Sequence, residues 1–189
     1  MSVVWPCSYP IAALERAGRE ARPPVQRCPS CRAELRVQGG YPRALRHAGR
    51  RYRLWIWRGY CRACDVSHAL LPDVIVAHHL DSVDTIHHAV TGGATPDVAA
   101  STRRGWRARF RRNQRILESA CMATTIALGG DVTDFDYPHV LAALWAAVRH
   151  RSEMTPPVWR IVNIISGMSW IRERVNSSWA IVGVYPRPP

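Results

Sequence analysis

Polar and apolar positions change their period along this chain. Over residues 51–57 they alternate, with Tyr52, Leu54 and Ile56 on one side and Arg51, Arg53, Trp55 and Trp57 on the other, the period of a strand. Residues 34–38 can supply a partner strand, and Gly39-Gly40 a bend. After Leu70-Leu71-Pro72 the period becomes helical. Asp81 or Ser82 caps a helix with Val83, Ile86 and Val90 on one face, and Gly92-Gly93 ends it. Thr95-Pro96 then reads as a cap followed by proline at the first helical position, opening a short helix through Ala100, and Ser101 caps a third. In that third helix Trp106, Phe110, Leu117, Cys121 and Leu128 fall on one stripe, with Arg104, Arg107, Arg111 and Arg115 on another. Two further helices follow. One starts at Asp136-Tyr137-Pro138 with Leu141, Leu144, Trp145 and Val148 inward, and one at Thr155-Pro156-Pro157 runs through Ile161, Val162, Ile165 and Met168.

The cysteines turn this pattern into a fold. Cys28-Pro29-Ser30-Cys31 and Cys61-Arg62-Ala63-Cys64 are two C-x-x-C units with 29 residues between them. Each folds as a tight turn offering two thiolates, and two such turns complete a tetrahedral shell, closed to water, of the kind zinc takes in structural sites. With strand signals between the pairs, the layout is that of a zinc ribbon whose hairpin has a long arm or loop. The alternatives are a redox dithiol or an iron–sulfur cluster. His68, four residues past Cys64, is a spare donor that four cysteines make unnecessary, while Cys7 and Cys121 read as ordinary thiols. The expected fold class is α+β: a small four-Cys zinc-ribbon β-hairpin followed by an all-α, helix-turn-helix-like region and a helical C-terminal part. The expected segments are 1–24, an N-terminal segment; 25–72, the ribbon; 78–128, the helix-turn-helix-like region; 129–175, a helical pair; and 176–189, a tail.

Charge narrows the function classes. Of 189 residues, 26 are arginine and none is lysine, against 14 acids, for a net charge of +12. Residues 1–64 hold thirteen Arg against three acids, and residues 102–115 hold seven Arg and no acid. Guanidinium groups bind phosphate in a bidentate fork, and seven of them within fourteen residues repel one another unless a polyanion is near. The expected nucleic-acid contacts are Arg103, Arg104, Arg107, Arg111, Arg112 and Arg115 on the third helix, with Arg51 and Arg53 on the ribbon. Trp55 and Trp57 either stack bases or shield the zinc site and core. The doublets His78-His79 and His87-His88 diverge by about 100° on a helix and read as polar surface rather than chelators. Apolar runs such as residues 141–148 are far shorter than the roughly 20 residues of a membrane span, and the amino end has no secretory signal pattern, so a cytoplasmic, nucleoid-associated protein is expected.

The run Cys28-Pro29-Ser30-Cys31, Trp57, Cys61-Arg62-Ala63-Cys64, Leu70-Leu71-Pro72, then Thr102-Arg103-Arg104-Gly105-Trp106-Arg107 with Phe110-Arg111-Arg112, resembles an uncharacterised actinobacterial family. That family is similar in turn to the amino-terminal zinc-ribbon and helix-turn-helix region of insertion-sequence transposases. The resemblance spans about residues 25–115. It implies DNA binding, zinc on the four cysteines, and the helix from Thr102 as recognition element. The seven-residue interval from Ala99 to Trp106 shortens the second helix or its turn relative to the usual pattern.

A transposase also needs three carboxylates around two divalent ions. Asp131, Asp134 and Asp136 are the nearest cluster, but Gly129-Gly130 and Pro138 around them read as an interhelical loop, and too little chain follows Arg115 for a catalytic α/β domain. The expectation is therefore a zinc-stabilised, non-enzymatic protein binding duplex DNA, a regulator or mobile-element accessory factor, with the C-terminal helices as a homodimer surface. The alternatives are an RNA- or single-strand-binding ribbon protein, a protein-interaction module, or a truncated transposase fragment.

Overall fold

The computed structural model describes residues 2–7, 9–95, 97–132, 137–149 and 158–165. The fold is α+β and divides into two compact units at Ile86/His87. Within the first unit, β1 (Ser2–Trp5) precedes α1 (Ile11–Ala17), which runs into a 3₁₀ turn, Gly18–Glu20. Three longer strands follow: β2 (Arg36–His47), β3 (Arg50–Cys61) and β4 (Val66–Pro72). The sheet order is β1-β4-β3-β2, antiparallel except for β1, which pairs parallel to β4.

The hairpin between β2 and β3 closes at Ala48-Gly49, both with positive φ, 46° and 74°. Two such residues give a loop whose twist matches that of the flanking strands. The expected bend at Gly39-Gly40 is instead a bulge inside β2, where the register shifts between Val37 and Gly40. Gly39 has φ 60°, and a Cβ on Gly40 would stand 2.5 Å from the Ile56 carbonyl oxygen and 2.6 Å from the Trp55 indole nitrogen. Glycine is needed there because a backbone oxygen cannot yield.

Alternation along β3 sorts its two faces as the sequence predicts. Leu54 and Ile56 are buried with Leu45 of β2 under the segment of residues 73–86, whose Val74, Ile75, Val76 and Ile86 are also buried. Each such side chain removed from water contributes about 1.5–3 kcal/mol. Polar bonds fasten this cover. Arg43 donates to the carbonyls of Val76 and His79 at 2.9 and 2.8 Å, and Arg46 forms a fork with Asp81 at 2.6 and 3.0 Å.

The opposite face is covered by the amino-terminal segment, which the sequence left without structure. α1 buries Ile11 and Leu14 and packs on β3, and the Trp57 indole donates to the Ala21 carbonyl at 2.9 Å. Residues 1–24 and the ribbon thus share one unit.

α2 (Val83–Val90) spans the boundary between the units. The Ser82 hydroxyl caps it by accepting the Thr85 N–H, and Gly92, φ 98°, follows its end. The short helix expected from Thr95-Pro96 is not formed: residues 97–98 make a turn and Ala99 is the cap of α3 (Ala100–Ala127). The Arg103 guanidinium takes the carbonyls of Thr95 and Val98 and ties the connection down in that irregular path. The helix-turn-helix-like part is therefore α2, nine connecting residues and one long helix.

In the second unit α3 packs against α4 (Tyr137–Arg149) and α5 (Val158–Ile165). Trp106, Phe110, Leu117 and Cys121 are buried as the stripe predicts, as are Asn113, Thr124 and Thr125, the threonines bonding back to carbonyls four residues earlier. Val140, Leu141 and Leu144 of α4 and Ile161 and Val162 of α5 are buried too. Of the positions expected to offer a dimer surface, Leu141, Leu144, Ile161 and Val162 are buried in the unit. The side chains of Trp145, Val148 and Ile165, together with Thr155-Pro156-Pro157, Met168 and the tail, lie outside the described residues. Among the described residues no helix is long and apolar enough to cross a membrane.

Candidate functional site

Two turns of the same design bring the four cysteines together. In the first, the Cys28 N–H bonds to the Ala33 carbonyl and the Cys28 carbonyl accepts the Arg32 N–H, at 2.8 and 2.9 Å, while Leu35 N–H bonds back to Gln26. The second joins β3 to β4, with Cys61 paired to Val66 across its base. Each turn ends on a residue of left-handed backbone one step past its second cysteine: Arg32 at φ 65° and Asp65 at φ 53°. That conformation reverses the chain so both thiols of a pair face inward, at a cost of about 1–2 kcal/mol for a non-glycine residue.

The four sulfurs lie within 4.8 Å of one another. Cys28 and Cys64 are 3.9 Å apart, and Cys31 and Cys61 3.4 Å. A tetrahedral ion with metal–sulfur bonds of about 2.3 Å requires sulfur separations of about 3.8 Å, so the residues fit a metal ion held by four thiolates. Cys28 and Cys61 are fully buried and Cys31 is exposed.

Proton affinity is unevenly spread over the cluster. Burial alone would push the Cys28 thiol up, but the backbone N–H groups of Cys31 and Ser30, helped by the thiols of Cys61 and Cys31, bring it down to about 6. Pro29 leaves Ser30 and Cys31 as the first free N–H donors after Cys28, both directed at its sulfur. The Cys64 thiol is pushed up to about 12 by its hydrogen bond to Cys31 and then by burial, and burial raises Cys61. The Cys28 thiolate is ready to meet a metal, whereas the raised Cys61 and Cys64 thiols must be deprotonated by it.

His68 is the residue that spacing undervalued. It is 1% exposed, faces the cluster from the middle of β4, and its Nε2 lies 3.7 Å from the Cys28 sulfur. Opposite it in the register is Gly59, where a Cβ would press to 3.1 Å on Leu35 and Leu70. With the proton on Nε2 the ring donates to the Cys28 sulfur; Nδ1 has no hydrogen-bond partner among the described residues. His68 stands behind one ligand rather than within the four-sulfur set. Cys7 is buried in the first unit outside the four-sulfur set, and Cys121 is buried in the second unit, its thiol pushed up to about 12 by burial.

Trp55 and Trp57 are engaged within the fold. Their rings meet edge to face at 6.2 Å, the Arg19 guanidinium lies 4.3 Å over Trp55, and Arg22 lies 5.3 Å over Trp57. Both rings are thus partnered by arginines of the amino-terminal segment. Arg51 and Arg53 on the same face are exposed, with the Arg53 N–H bonded to Glu15.

The arginines of α3 divide into two sets. Arg103 holds Thr95 and Val98, and the Arg107 Nε donates to the Ala89 carbonyl at 2.7 Å, so these two cap and anchor chain within the fold. Arg104, Arg111, Arg112 and Arg115 are exposed and, at 100° per residue, lie opposite the buried stripe of Trp106, Phe110 and Leu117. Between them are Gly105 and Ala108; a Cβ on Gly105 would meet nothing within 4 Å. The half-exposed Arg109 is not part of this row. Of the acidic cluster, Asp131 is exposed, and Asp134 and Asp136 lie outside the described residues. Among the described residues the four cysteines are the only cluster positioned to hold a metal.

A family model described as a domain of unknown function, DUF6431, matches residues 28–109, from the first cysteine of the cluster into the arginine segment of α3. No curated protein and no solved structure matches the chain.

Proposed function

We propose that this is a zinc-stabilised DNA-binding protein that grips duplex DNA through the exposed arginine row of α3, as a regulator or mobile-element accessory factor without catalysis of its own. The single observation that carries the reading is the row itself. Four guanidinium groups, Arg104, Arg111, Arg112 and Arg115, stand exposed on one rigid helix whose other side is anchored in a core. They extend over twelve residues, about 16 Å of helix, a length suited to several consecutive phosphates or to lying in a major groove.

Zinc supplies the fold of the first unit. Four thiolates in a closed shell favour it over harder ions, and with no open position it acts as a cross-link rather than a catalyst. Arg103 and Arg107 fix the start of α3, which lets the other arginines present charge without first ordering the backbone. The same order of features, cysteine pairs then an arginine-tryptophan helix, supports kinship with the DNA-binding end of insertion-sequence transposases.

Fluorescence anisotropy of a labelled duplex over a salt series tests this. Four phosphate contacts give a log–log slope of about −3 to −4. A slope near zero, or no binding at low salt, would exclude the reading and favour a protein partner.

A further inference from the structure

Part of the sheet is uncovered on the half of its face nearest the cysteine turns and on the side away from α1. The register places Arg36 beside Tyr60 and Tyr60 beside Ser67, with Arg58 beside Ala69 one row along. Tyr41, beside Ile56, closes the patch. Arg36, Arg58 and Ser67 are exposed, and Tyr41 and Tyr60 are half-buried. The other half of this face is closed by residues 73–86, where Leu45 and Leu54 are buried. The Arg58 guanidinium lies 5.2 Å over the Tyr41 ring, and the Tyr60 hydroxyl donates to Asp65 at 2.6 Å, which leaves that acid already engaged.

We propose that this open half-sheet binds a single polynucleotide strand, separately from the duplex contact assigned to α3. Arg36 and Arg58 offer forked donors to phosphates, and Tyr60 offers a ring face to an unstacked base, while Arg58 already lies over the Tyr41 ring. Arginine and aromatic positions two apart on a strand are about 7 Å apart and alternate charge with stacking surface along the path of a chain. Trp55 and Trp57, the residues whose sequence first pointed to stacking, are on the face against which α1 packs and take no part.

The experiment uses the full-length, zinc-loaded protein and labelled oligo(dT), oligo(U), an abasic strand of equal length and a duplex. Zinc content and circular dichroism verify that each variant is folded. Arg36→Ala with Arg58→Ala, exposed changes that leave the core intact, lowers single-strand affinity about tenfold or more, and Tyr60→Leu lowers it about tenfold. The abasic strand binds more weakly than oligo(dT). A preference between oligo(dT) and oligo(U) identifies the natural strand as DNA or RNA, and equal binding leaves the shared chemistry intact. Unchanged single-strand affinity in the ribbon variants, or an abasic strand binding as tightly as oligo(dT), overturns the proposal. Its failure is separable from that of the α3 reading, because alanines at Arg104, Arg111, Arg112 and Arg115 remove duplex binding and leave the single-strand contact.

Discussion

The Nε2 nitrogen of His68 stands 3.7 Å from the Cys28 sulfur, from a ring that is almost wholly buried in the middle of β4. A hydrogen bond to a thiolate spreads its charge and fixes its direction, so on the proposed reading His68 would act on a metal held by the four cysteines through Cys28. Groups in this position are worth about 10–100-fold in metal affinity. His68→Ala is expected to weaken zinc by that order in competition with a chromophoric chelator, and His68→Gln, which keeps an N–H donor, to recover part of it. Cobalt-loaded protein retains a four-sulfur spectrum in both variants. Unchanged affinity in His68→Ala would remove the histidine from the account.

Metal uptake is expected to release fewer than four protons per ion at pH 7.5, because Cys28, at about 6, is already ionised there. Titration in buffers of differing ionisation enthalpy counts them, and a full four would contradict the lowered Cys28.

The metal-free protein has its own pH dependence. Cys28 is depressed below its unfolded value of about 8.5, so its stabilisation is present above that pH and is lost as pH falls through about 6. Cys64 is raised to about 12, so its contribution is present below about 8.5 and is lost as pH rises toward 12. Together they place the stability maximum of the first unit near pH 8.5. Chemical denaturation of chelator-treated protein across pH checks this, and a monotonic rise or fall through that range would contradict it.

Gly105→Ala is expected to raise the stability of α3 by about 1 kcal/mol, since nothing within 4 Å meets the added methyl. The same substitution lowers duplex affinity, because the gap lies between Arg104 and Ala108 where a phosphate backbone approaches. A higher melting temperature with unchanged DNA affinity would place the contact elsewhere on the helix.

Much of the site was legible because it is local chemistry. The two C-x-x-C pairs and the alternation from Arg51 to Trp57 define a cross-linked hairpin, and the stripe of Trp106, Phe110 and Leu117 defines the inner side of α3. What the sequence hid depends on long-range contact. Gly39-Gly40 has the composition of a turn, yet the true turn is Ala48-Gly49 and the glycines form a bulge that lets Trp55 and Ile56 approach. His68 is distant from Cys28 in sequence, and only the pairing of β4 with β3 brings it there. Charge density alone made Arg103 and Arg107 equal to their neighbours; the carbonyls that bind them come from the irregular connection at Thr95 and Val98 and from the last turn of α2 at Ala89. The amino-terminal cover was read from the sequence only as a segment, residues 1–24, because its packing on β3 is likewise long-range.

The division of the arginines gives the most direct test of the central claim, that the exposed row of α3 grips duplex DNA. Two variants are compared with the parent over a salt series: Arg104, Arg111, Arg112 and Arg115 all changed to alanine, and Arg103 with Arg107 changed to alanine. The first is expected to keep its melting temperature and lose nearly all duplex affinity, its salt slope falling by about 3 to 4. The second is expected to lose stability, by about 1–3 kcal/mol for the unsatisfied carbonyls, while its salt slope stays within about one unit of the parent's. A fourfold variant that binds duplex with the parent's affinity and slope would contradict the account.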